Sequence, residues 1–223
     1  FQARAKFAFD YMHYFARDSV NFLNETVTEG AQADNRYYQQ EVYLSAVNMY
    51  TILPGWDVAL ATDFQYNKLN ATLKGVGTQF SYPQRYTILY SLSSSYNLGK
   101  LKTMGSVIGT HVQERVRFNA KAPNKTELTP AIFIGYEPFD RYDLTIRSFA
   151  KRIFRMPTFN DLYYQMVGQA VLRPEYMNQY NIGFTYSKAI RRGFVDSFSL
   201  QADAYYTDTK DKIVAAPANN LFR

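Results

Sequence analysis

Two histidines are the side chains of this sequence best suited to bind a metal or haem. His13 and His111 lie far apart along the chain, and neither belongs to a His-x-x-x-His or Glu-x-x-His pattern. Those spacings bring two zinc ligands onto one face of a helix. His13 shares one face of a predicted strand with Phe9 and Phe15, which favours a position at an interface. His111 stands among polar neighbours, which favours the inner surface of a fold or the edge of a loop. The sequence predicts no metal site.

The other common catalytic constellations are missing from the sequence. The chain has no cysteine, which excludes a disulfide framework, a thiolate metal site and a cysteine nucleophile. It has no Gly-x-Ser-x-Gly elbow and no glycine-rich phosphate loop. With only two histidines in the sequence, a Ser-His-Asp triad has few candidates for its general base. We therefore expect no catalytic residue and no resident cofactor, and a function other than catalysis.

The charge of the chain does not point to nucleic acid. Its 25 lysines and arginines outnumber the 19 acidic residues and give a net charge of +6. The basic residues are nevertheless scattered, and the only adjacent pairs are Lys151-Arg152 and Arg191-Arg192. Since a nucleic-acid surface requires a basic stripe or cluster, we predict no nucleic-acid partner.

The segments that carry the charged residues alternate between apolar and polar positions. In WDVALATDFQYN, residues 56–67, one face holds Trp56 and Phe64, and the other holds Asp57 and Asp63. The same alternation recurs in 85–97, 176–187 and 194–207. A period of two residues is the period of a β-strand, so the sequence predicts an all-β protein.

We predict nine strands and no amphipathic helix. The predicted bounds are 3–17, 37–51, 56–68, 84–97, 100–118, 128–137, 142–154, 176–188 and 194–210. Most exceed the mean strand of about 5–6 residues in globular proteins, and several reach the roughly 9–11 residues that cross a bilayer. Because no crossover helices separate them, consecutive strands are expected to pair antiparallel.

The predicted connections alternate strictly between long and short. Long polar loops are predicted at 18–36, 69–83, 119–127 and 155–175, and short turns at 52–55, 98–99, 138–141 and 189–193. All long loops then lie at one end of the sheet and all short turns at the other. This asymmetry is typical of an antiparallel transmembrane β-barrel of the outer membrane, with extracellular loops and periplasmic turns.

Aromatic and charged residues fall where such a barrel uses them. Two aromatic girdles are expected, Trp56, Tyr96, Tyr136, Tyr142 and Tyr186 beside the short turns and Tyr66, Tyr86 and Phe118 beside the long loops. The charged residues expected to point into the lumen are Asp57, Asp63, Asp203, Arg85, Arg115, Arg147 and Lys151. We expect this wall to dock against another domain through salt bridges, and a path for an anionic substrate is the alternative.

Three sequence blocks occur in order within residues 143–214. They are FRMPTFNDLYY at 154–164, LRPE at 172–175 followed by a strand with a central glycine, and AYYTDTKDKIV at 204–214. In order and spacing these blocks resemble the C-terminal half of the TonB-dependent outer-membrane receptors, although the Gly-Asn usual before the second block is here Gly168-Gln169. The matching positions are Arg155, Pro157, Asn160, Leu162, Tyr163, Leu172, Pro174, Glu175 and Gly183.

The resemblance implies a barrel of about 22 strands, plugged by an N-terminal domain, to which residues 1–223 contribute nine strands. The plug, the TonB-contacting box and the C-terminal strands are expected outside this chain. The resemblance further implies capture of an iron–siderophore, haem, cobalamin or a glycan on the long loops, and import with energy from TonB. The expected partners are therefore outer-membrane lipid, TonB, the plug and a small-molecule or glycan ligand.

The matching residues are expected to be mainly structural and to shape an extracellular loop, and direct contact with the substrate is the alternative. Pro157 cannot donate to a ladder, so the preceding strand should stop near Arg155. Pro174 holds Arg173 extended and sets the entry to the next strand. Glu175 can accept backbone or arginine hydrogen bonds at that point. The ligand-binding residues themselves are not identified within the four long loops.

Two other classes of protein remain open. A passive porin or a barrel adhesin without a plug has the same strand pattern and predicts an open channel without TonB dependence. A soluble β-sandwich that binds a partner predicts a chain that folds without detergent. Such a sandwich hides its apolar face in a core about 10 Å thick and does not need strands this long.

Overall fold

The computed structural model describes residues 1–16, 33–74, 79–163, 169–192, 195–214, 217–218 and 221–222. Nine strands form one sheet in which each strand pairs antiparallel with the next along the chain. They are β1 Gln2–Ala16, β2 Ala33–Leu53, β3 Trp56–Lys74, β4 Gln84–Leu98, β5 Leu101–Arg115, β6 Lys125–Tyr136, β7 Asp143–Arg155, β8 Glu175–Arg192 and β9 Val195–Lys210. The predicted nine-stranded antiparallel architecture is confirmed.

Two small elements accompany the sheet. Helix α1, Phe159–Tyr163, lies between β7 and β8, and the short strands β10 (Pro217–Ala218) and β11 (Leu221–Phe222) pair with each other after β9. No helix in the described part of the chain is long and apolar enough to cross a membrane.

Tight turns join the strands at one end of the sheet. Gly55 and Gly99 have φ values of 81° and 55°, in the left-handed region that glycine adopts at little cost. Asn97 donates its backbone N–H to the Gly55 carbonyl at 2.7 Å, and a Cβ atom on Gly55 would lie 2.6 Å from the Asn97 carbonyl oxygen. Glycine at position 55 therefore lets the β2–β3 turn pack directly against the end of β4.

The register of the ladders places large apolar side chains of neighbouring strands side by side on one face. Leu60 of β3 stands opposite Leu92 of β4, and Ile132 of β6 lies on the same face two strands further on. These three side chains are 49%, 54% and 47% exposed. We call this face the outer face and the opposite, polar one the inner face. So much contiguous exposed apolar surface is typical of the lipid-facing side of a barrel.

Aromatic side chains mark both ends of the outer face. Trp56 stands opposite Tyr96 at the short-turn end. At the long-loop end the rings of Tyr66 and Tyr86 lie 5.0 Å apart between their centroids. Their positions match the two predicted girdles.

Several strand ends near the long loops differ from the prediction. Residues 69–74 belong to β3, so the predicted loop 69–83 is shorter. β5 ends three residues earlier than predicted and β6 begins three residues earlier, so the predicted loop 119–127 keeps its length and moves to 116–124. Residues 33–36 belong to β2, while 18–32 of the predicted loop 18–36 lie outside the described residues, as do 75–78, 164–168 and residue 193 of the last predicted turn. Beyond a membrane both faces of a strand meet water, so alternation fades there although the ladder continues.

Arg115, predicted for the inner face, and His111, predicted for the inner face or the edge of a loop, both lie on the outer face. Arg115 pairs with Gln84, which shares the outer face with Tyr86, and His111 pairs with Ile88. The prediction for Arg115 is wrong because β5 has small or polar residues on both faces, so its sequence does not reveal which face is which. His111 lies beside Thr126 near the start of β6, which fits the loop edge that was its other predicted position. His13 lies on the outer face beside Phe15, as predicted, with 6.3 Å between the ring centroids.

The ladder between β6 and β7 is the shortest in the nine-stranded sheet. It contains the pairs from Ala131 opposite Lys151 to Tyr136 opposite Ile146. The next residue of β6 is Pro130, which has no N–H to donate, so the pairing ends there. Beyond that point the Tyr176 hydroxyl of β8 donates to the Glu127 carboxylate of β6.

Candidate ligand-binding mouth

Apolar side chains from three connections pack against the inner face at the long-loop end of the sheet. We call this group the mouth cluster; its buried members are Tyr37, Leu69, Ala71, Phe80, Ala122, Phe159, Leu162 and Tyr163. Leu73, Tyr82, Val116, Ala170 and Leu172 pack against it. Burial of this apolar surface folds the connections after β3, β5 and β7 inward over the mouth of the barrel wall.

Helix α1 begins with a capping box. The Thr158 N–H donates to Asp161 Oδ2 at 2.7 Å, and the Asp161 N–H donates to Thr158 Oγ1 at 3.2 Å. The Leu162 N–H donates to the Thr158 carbonyl at 3.1 Å and closes the first turn. This single turn of five residues is not the kind of amphipathic helix that the sequence excludes, and the Thr-x-x-Asp spacing is the sequence signal for its start.

Arg85 attaches α1 to the barrel wall. Its side chain forms an ion pair with Glu114, the residue opposite it on β5, and donates from Nη2 to the Pro157 carbonyl at 2.8 Å. Its guanidinium carbon also lies 5.1 Å from the centroid of the Phe159 ring. The Glu114 side chain is fully buried and that of Arg85 is 12% exposed. One arginine thus neutralises a buried carboxylate and positions the start of α1.

Glu114 is a residue of the candidate site that the sequence alone did not predict. Its importance depends on the pairing of β4 with β5, which places it opposite Arg85, and on the inward folding of α1 above both. Its backbone N–H also donates a hydrogen bond to Asn124 Oδ1 at 3.0 Å, which ties the connection between β5 and β6 to the end of β5.

Tyr163 joins α1 to the connection between β5 and β6. Its hydroxyl oxygen accepts a hydrogen bond from the Ala122 N–H at 3.1 Å, and the residue is 6% exposed. Burial raises the pKa of the Tyr163 hydroxyl above its usual value, because the site disfavours the phenolate. Tyr163 therefore stays neutral and holds two loops together at the mouth.

Substituting Tyr163 with phenylalanine is expected to lower the free energy of unfolding by about 1 kcal/mol near neutral pH, because the Ala122 N–H loses its acceptor. The difference should shrink above about pH 10. The raised folded pKa contributes stability that is present below the pKa of the unfolded chain and is lost as the pH rises through the folded pKa. Urea unfolding of both proteins at about pH 8 and about pH 11 measures this; a difference independent of pH contradicts it.

The family-motif positions fall into three groups in the structure. Pro157, Leu162, Tyr163, Pro174 and Glu175 are buried, and Leu172 is partly buried against the mouth cluster. Asn160 and Arg155 are exposed, and Gly183 lies apart from the others in the middle of β8. The structure thus brings Leu162, Tyr163 and Leu172 of the motif together at the mouth cluster.

Pro157 and Pro174 mark the ends of the segment between β7 and β8 as predicted. β7 stops at Arg155 and β8 starts at Glu175. These two residues pair in the ladder, with 3.6 Å between Arg155 Nη1 and Glu175 Oε2. Glu175 also accepts a hydrogen bond from the Ile213 N–H at 3.4 Å, which ties the chain after β9 to the base of the segment.

A cavity of about 700 Å³ lies on the inner face toward the short turns. An arginine–carboxylate pair crosses its floor: Arg147 Nη2 of β7 donates to Asp203 Oδ2 of β9 at 2.9 Å, over the intervening β8. The residue of β8 between them is Gly183, where a Cβ atom would lie 2.1 Å from Asp203 Oδ1 and 2.8 Å from the Ala202 carbonyl oxygen. Glycine at 183 therefore makes room for the pair.

Gly183→Ala is expected to displace Asp203 from Arg147 and to lower the free energy of unfolding by about 1–3 kcal/mol, the usual cost of overpacking. The matched control is Gly135→Ala on the same face, where an added Cβ meets only Lys102 atoms at 3.8 Å. This control should leave stability unchanged. Urea midpoints of the two variants test the expectation, and equal midpoints would contradict it.

The histidines do not combine into a metal centre in the part of the chain that the structure describes. His13 Nε2 lies 2.7 Å from Asp34 Oδ1, and His111 Nδ1 lies 2.8 Å from Thr126 Oγ1. Within the same residues no three histidine or carboxylate side chains come close enough to hold a metal ion.

Comparison with known proteins identifies the architecture. The family model described as "TonB dependent receptor-like, beta-barrel" matches residues 1–223. A search of curated proteins by sequence gives no match.

Two solved structures share the fold. A double mutant of the Serratia marcescens hemophore receptor HasR, in complex with its hemophore HasA and heme, is 13% identical with a TM-score of 0.58, over 80% of this chain and 34% of that one. The copper transporter OprC is 11% identical with a TM-score of 0.55, over 93% of this chain and 39% of that one. The chain thus spans between a third and two fifths of the length of these structures.

Proposed function

The chain belongs to the TonB-dependent receptor-like β-barrel family, and on that premise we propose that its full-length protein is an active-transport receptor of the Gram-negative outer membrane. It captures a scarce ligand, such as an iron–siderophore, haem, cobalamin or a glycan, on its extracellular loops. It then imports that ligand with energy supplied through TonB. Residues 1–223 are part of the barrel domain, and the plug and the TonB-contacting segment are supplied by other parts of the protein.

The inward-folded mouth is the observation that best supports a receptor. A passive pore keeps its lumen open, whereas here Phe159 and Leu162 of α1 are packed inside the mouth. Because Arg85 and Tyr163 fix α1 by hydrogen bonds, the segment presents a defined surface to the outside. A pre-organised surface lowers the entropy cost of ligand binding.

The inner wall below the mouth suits a protein partner. The cavity of about 700 Å³ has both apolar and ionic lining, including Phe133, Phe149 and the Arg147–Asp203 pair. The plug of the same protein is the partner that docks against this wall. Such a docking surface combines apolar contacts with charges that fix the relative position of the two partners. The barrel wall acts as a scaffold and channel rather than as a catalyst.

The loops, rather than the wall, are proposed to select the ligand. Among the solved structures with this fold, one complex holds a hemophore and heme and another protein is a copper transporter. Similar walls with such different ligands support a choice of ligand made by the connections at the mouth.

Ligand titration of the full-length protein in detergent tests the proposal. Intrinsic tyrosine and tryptophan fluorescence is followed against haem, cobalamin, ferric siderophores and oligosaccharides. One class is expected to bind saturably with a dissociation constant below about 1 μM. Uptake of that ligand should stop in cells that lack TonB.

A matched pair of loop replacements locates the site. Replacing Phe159–Tyr163 with a Gly-Ser run of equal length should weaken binding at least about tenfold, because the ordered surface is lost. The same replacement at 138–141, at the opposite end of the barrel, should leave binding unchanged. Absence of binding across all four classes, together with steady conductance in planar bilayers, would instead establish a passive porin.

A further inference from the structure

A basic pocket faces outward at the long-loop end of β3–β5. It has a volume of about 360 Å³ and is lined by Lys68, Asn70, Tyr82, Gln84, Arg115, Val116 and Arg117. The lining contains three cations and no carboxylate. None of the three forms an ion pair within the described ranges of the chain.

The register fixes the position of this pocket in the wall. Lys68 of β3, Gln84 of β4 and Arg115 of β5 form one row across three neighbouring strands of the outer face. This row lies two residues beyond Tyr66 and Tyr86, or about 7 Å further toward the long loops. The pocket therefore sits immediately outside the aromatic girdle, where the headgroups of the outer leaflet begin.

Two of the cations are held in place by aromatic rings. The Arg115 guanidinium carbon lies 5.4 Å from the centroid of the Tyr86 ring, and that of Arg117 lies 5.1 Å from the centroid of the Phe118 ring. The backbone N–H of Arg117 donates to the Ser81 carbonyl at 2.8 Å. The stacking orients both guanidinium groups at modest entropy cost and leaves their N–H donors for a ligand.

We propose that this pocket binds the phosphate group of a phosphorylated glycolipid in the outer leaflet. Arginine matches phosphate through two parallel hydrogen bonds, and lysine adds a point charge. The volume equals that of about a dozen water molecules, which leaves room for the sugar that carries the phosphate. Basic pockets on the surface of membrane proteins recognise lipid headgroups by the same chemistry.

A lipid fits the position of the pocket better than the transported ligand does. Lys68 and Arg115 point to the outer face, whereas the mouth cluster and the Arg85–Glu114 pair lie on the inner face. Tyr82 and Val116 pack against the mouth cluster and form the boundary between it and the pocket, while all three cations of the pocket lie outside that cluster. The inference rests on the proposed outer-membrane orientation and is independent of which ligand is imported.

The test uses the full-length protein, purified in detergent and titrated with a purified bis-phosphorylated glycolipid of the outer leaflet. Native mass spectrometry counts the bound lipid molecules. The triple variant Lys68→Gln, Arg115→Gln, Arg117→Gln should bind the lipid roughly a hundredfold more weakly, since each basic residue near an anionic headgroup contributes about fivefold. The control Arg141→Gln, Lys188→Gln removes exposed cations at the short-turn end and should bind like the wild type.

Three further arms make the test decisive. The wild type should not retain the dephosphorylated glycolipid, and this arm needs no variant to fold. Inorganic phosphate at the concentration of the lipid should not displace it; displacement would show a free-anion site and overturn the proposal. Equal lipid binding by the wild type and the triple variant would also overturn it. Titration with the imported ligand should be unaffected by the triple substitution, which separates failure of the lipid site from failure of the receptor function.

Discussion

Replacing Arg85 with methionine is expected to lower the free energy of unfolding of the full-length barrel by about 3–5 kcal/mol. The substitution leaves the Glu114 carboxylate fully buried without its partner. It also removes the hydrogen bond of 2.8 Å to the Pro157 carbonyl and the contact with the Phe159 ring. Urea unfolding of the reconstituted protein, followed by tryptophan fluorescence, measures the loss. Ligand affinity should fall with it, because α1 loses its attachment to the wall.

The double variant Arg85→Met, Glu114→Leu distinguishes two causes of the lost stability: the unpaired charge of Glu114 and the lost packing of Arg85. Removing both charges should restore most of the stability lost in the single variant, because no carboxylate is then left unpaired. Lys6→Met breaks the exposed ion pair between Lys6 Nζ and Glu41 Oε1, which are 3.2 Å apart, and should cost less than about 1 kcal/mol. If the single and double variants were equally unstable, packing rather than charge would explain the role of Arg85.

The central part of each strand could be predicted from sequence because a membrane imposes a strict alternation there. β3 begins at Trp56, at the residue where the alternating segment WDVALATDFQYN begins. The outer ends were less predictable: β3 continues to Lys74 because β2 supplies pairing partners up to Asp34. Ladder length therefore depends on the neighbouring strand as well as on the pattern of the strand itself.

The face of β5 could not be predicted for a different reason. Gly105, Ser106, Gly109 and Thr110 place small or polar residues on both faces of this strand, so its hydrophobic pattern carries little information. The pairing of β5 with β4 determines which side chains of β5 lie on the outer face, and Arg115 is one of them. The lipid pocket proposed above exists only because of that register.

The ends of the segment between β7 and β8 could be predicted from the sequence, but the contacts that this segment makes at the candidate mouth could not. Pro157 and Pro174 restrict the backbone whatever surrounds them, so they marked the ends of the segment in the sequence alone. The partner of Glu114, by contrast, is set by a pairing between strands about thirty residues apart, which no local pattern encodes. The inward fold of α1 depends in turn on side chains from β2, β3 and two further connections.

Phe159→Ala is expected to lower the free energy of unfolding by about 3–5 kcal/mol, the usual effect of removing a buried aromatic ring. Phe159 is 7% exposed, packs 6.0 Å from the Tyr163 ring between centroids, and carries the Arg85 guanidinium on its face. Its loss should therefore weaken every contact that folds α1 inward. We expect backbone amides of α1 and of the connection around Ala122 to exchange hydrogen faster by at least about tenfold, as measured by mass spectrometry.

Val171 provides the matched control within the same connection. Its side chain is 79% exposed, so Val171→Ala should change stability by less than about 0.5 kcal/mol and leave hydrogen exchange at α1 unaltered. The pair of variants distinguishes a packed mouth from a loop that merely touches the wall. A loose loop predicts that both substitutions are silent, whereas a packed mouth predicts that Phe159→Ala alone reduces stability, amide protection and ligand affinity together. Faster exchange around Ala122 is the most specific of these effects, because Ala122 is joined to α1 through Tyr163 and not through the sheet.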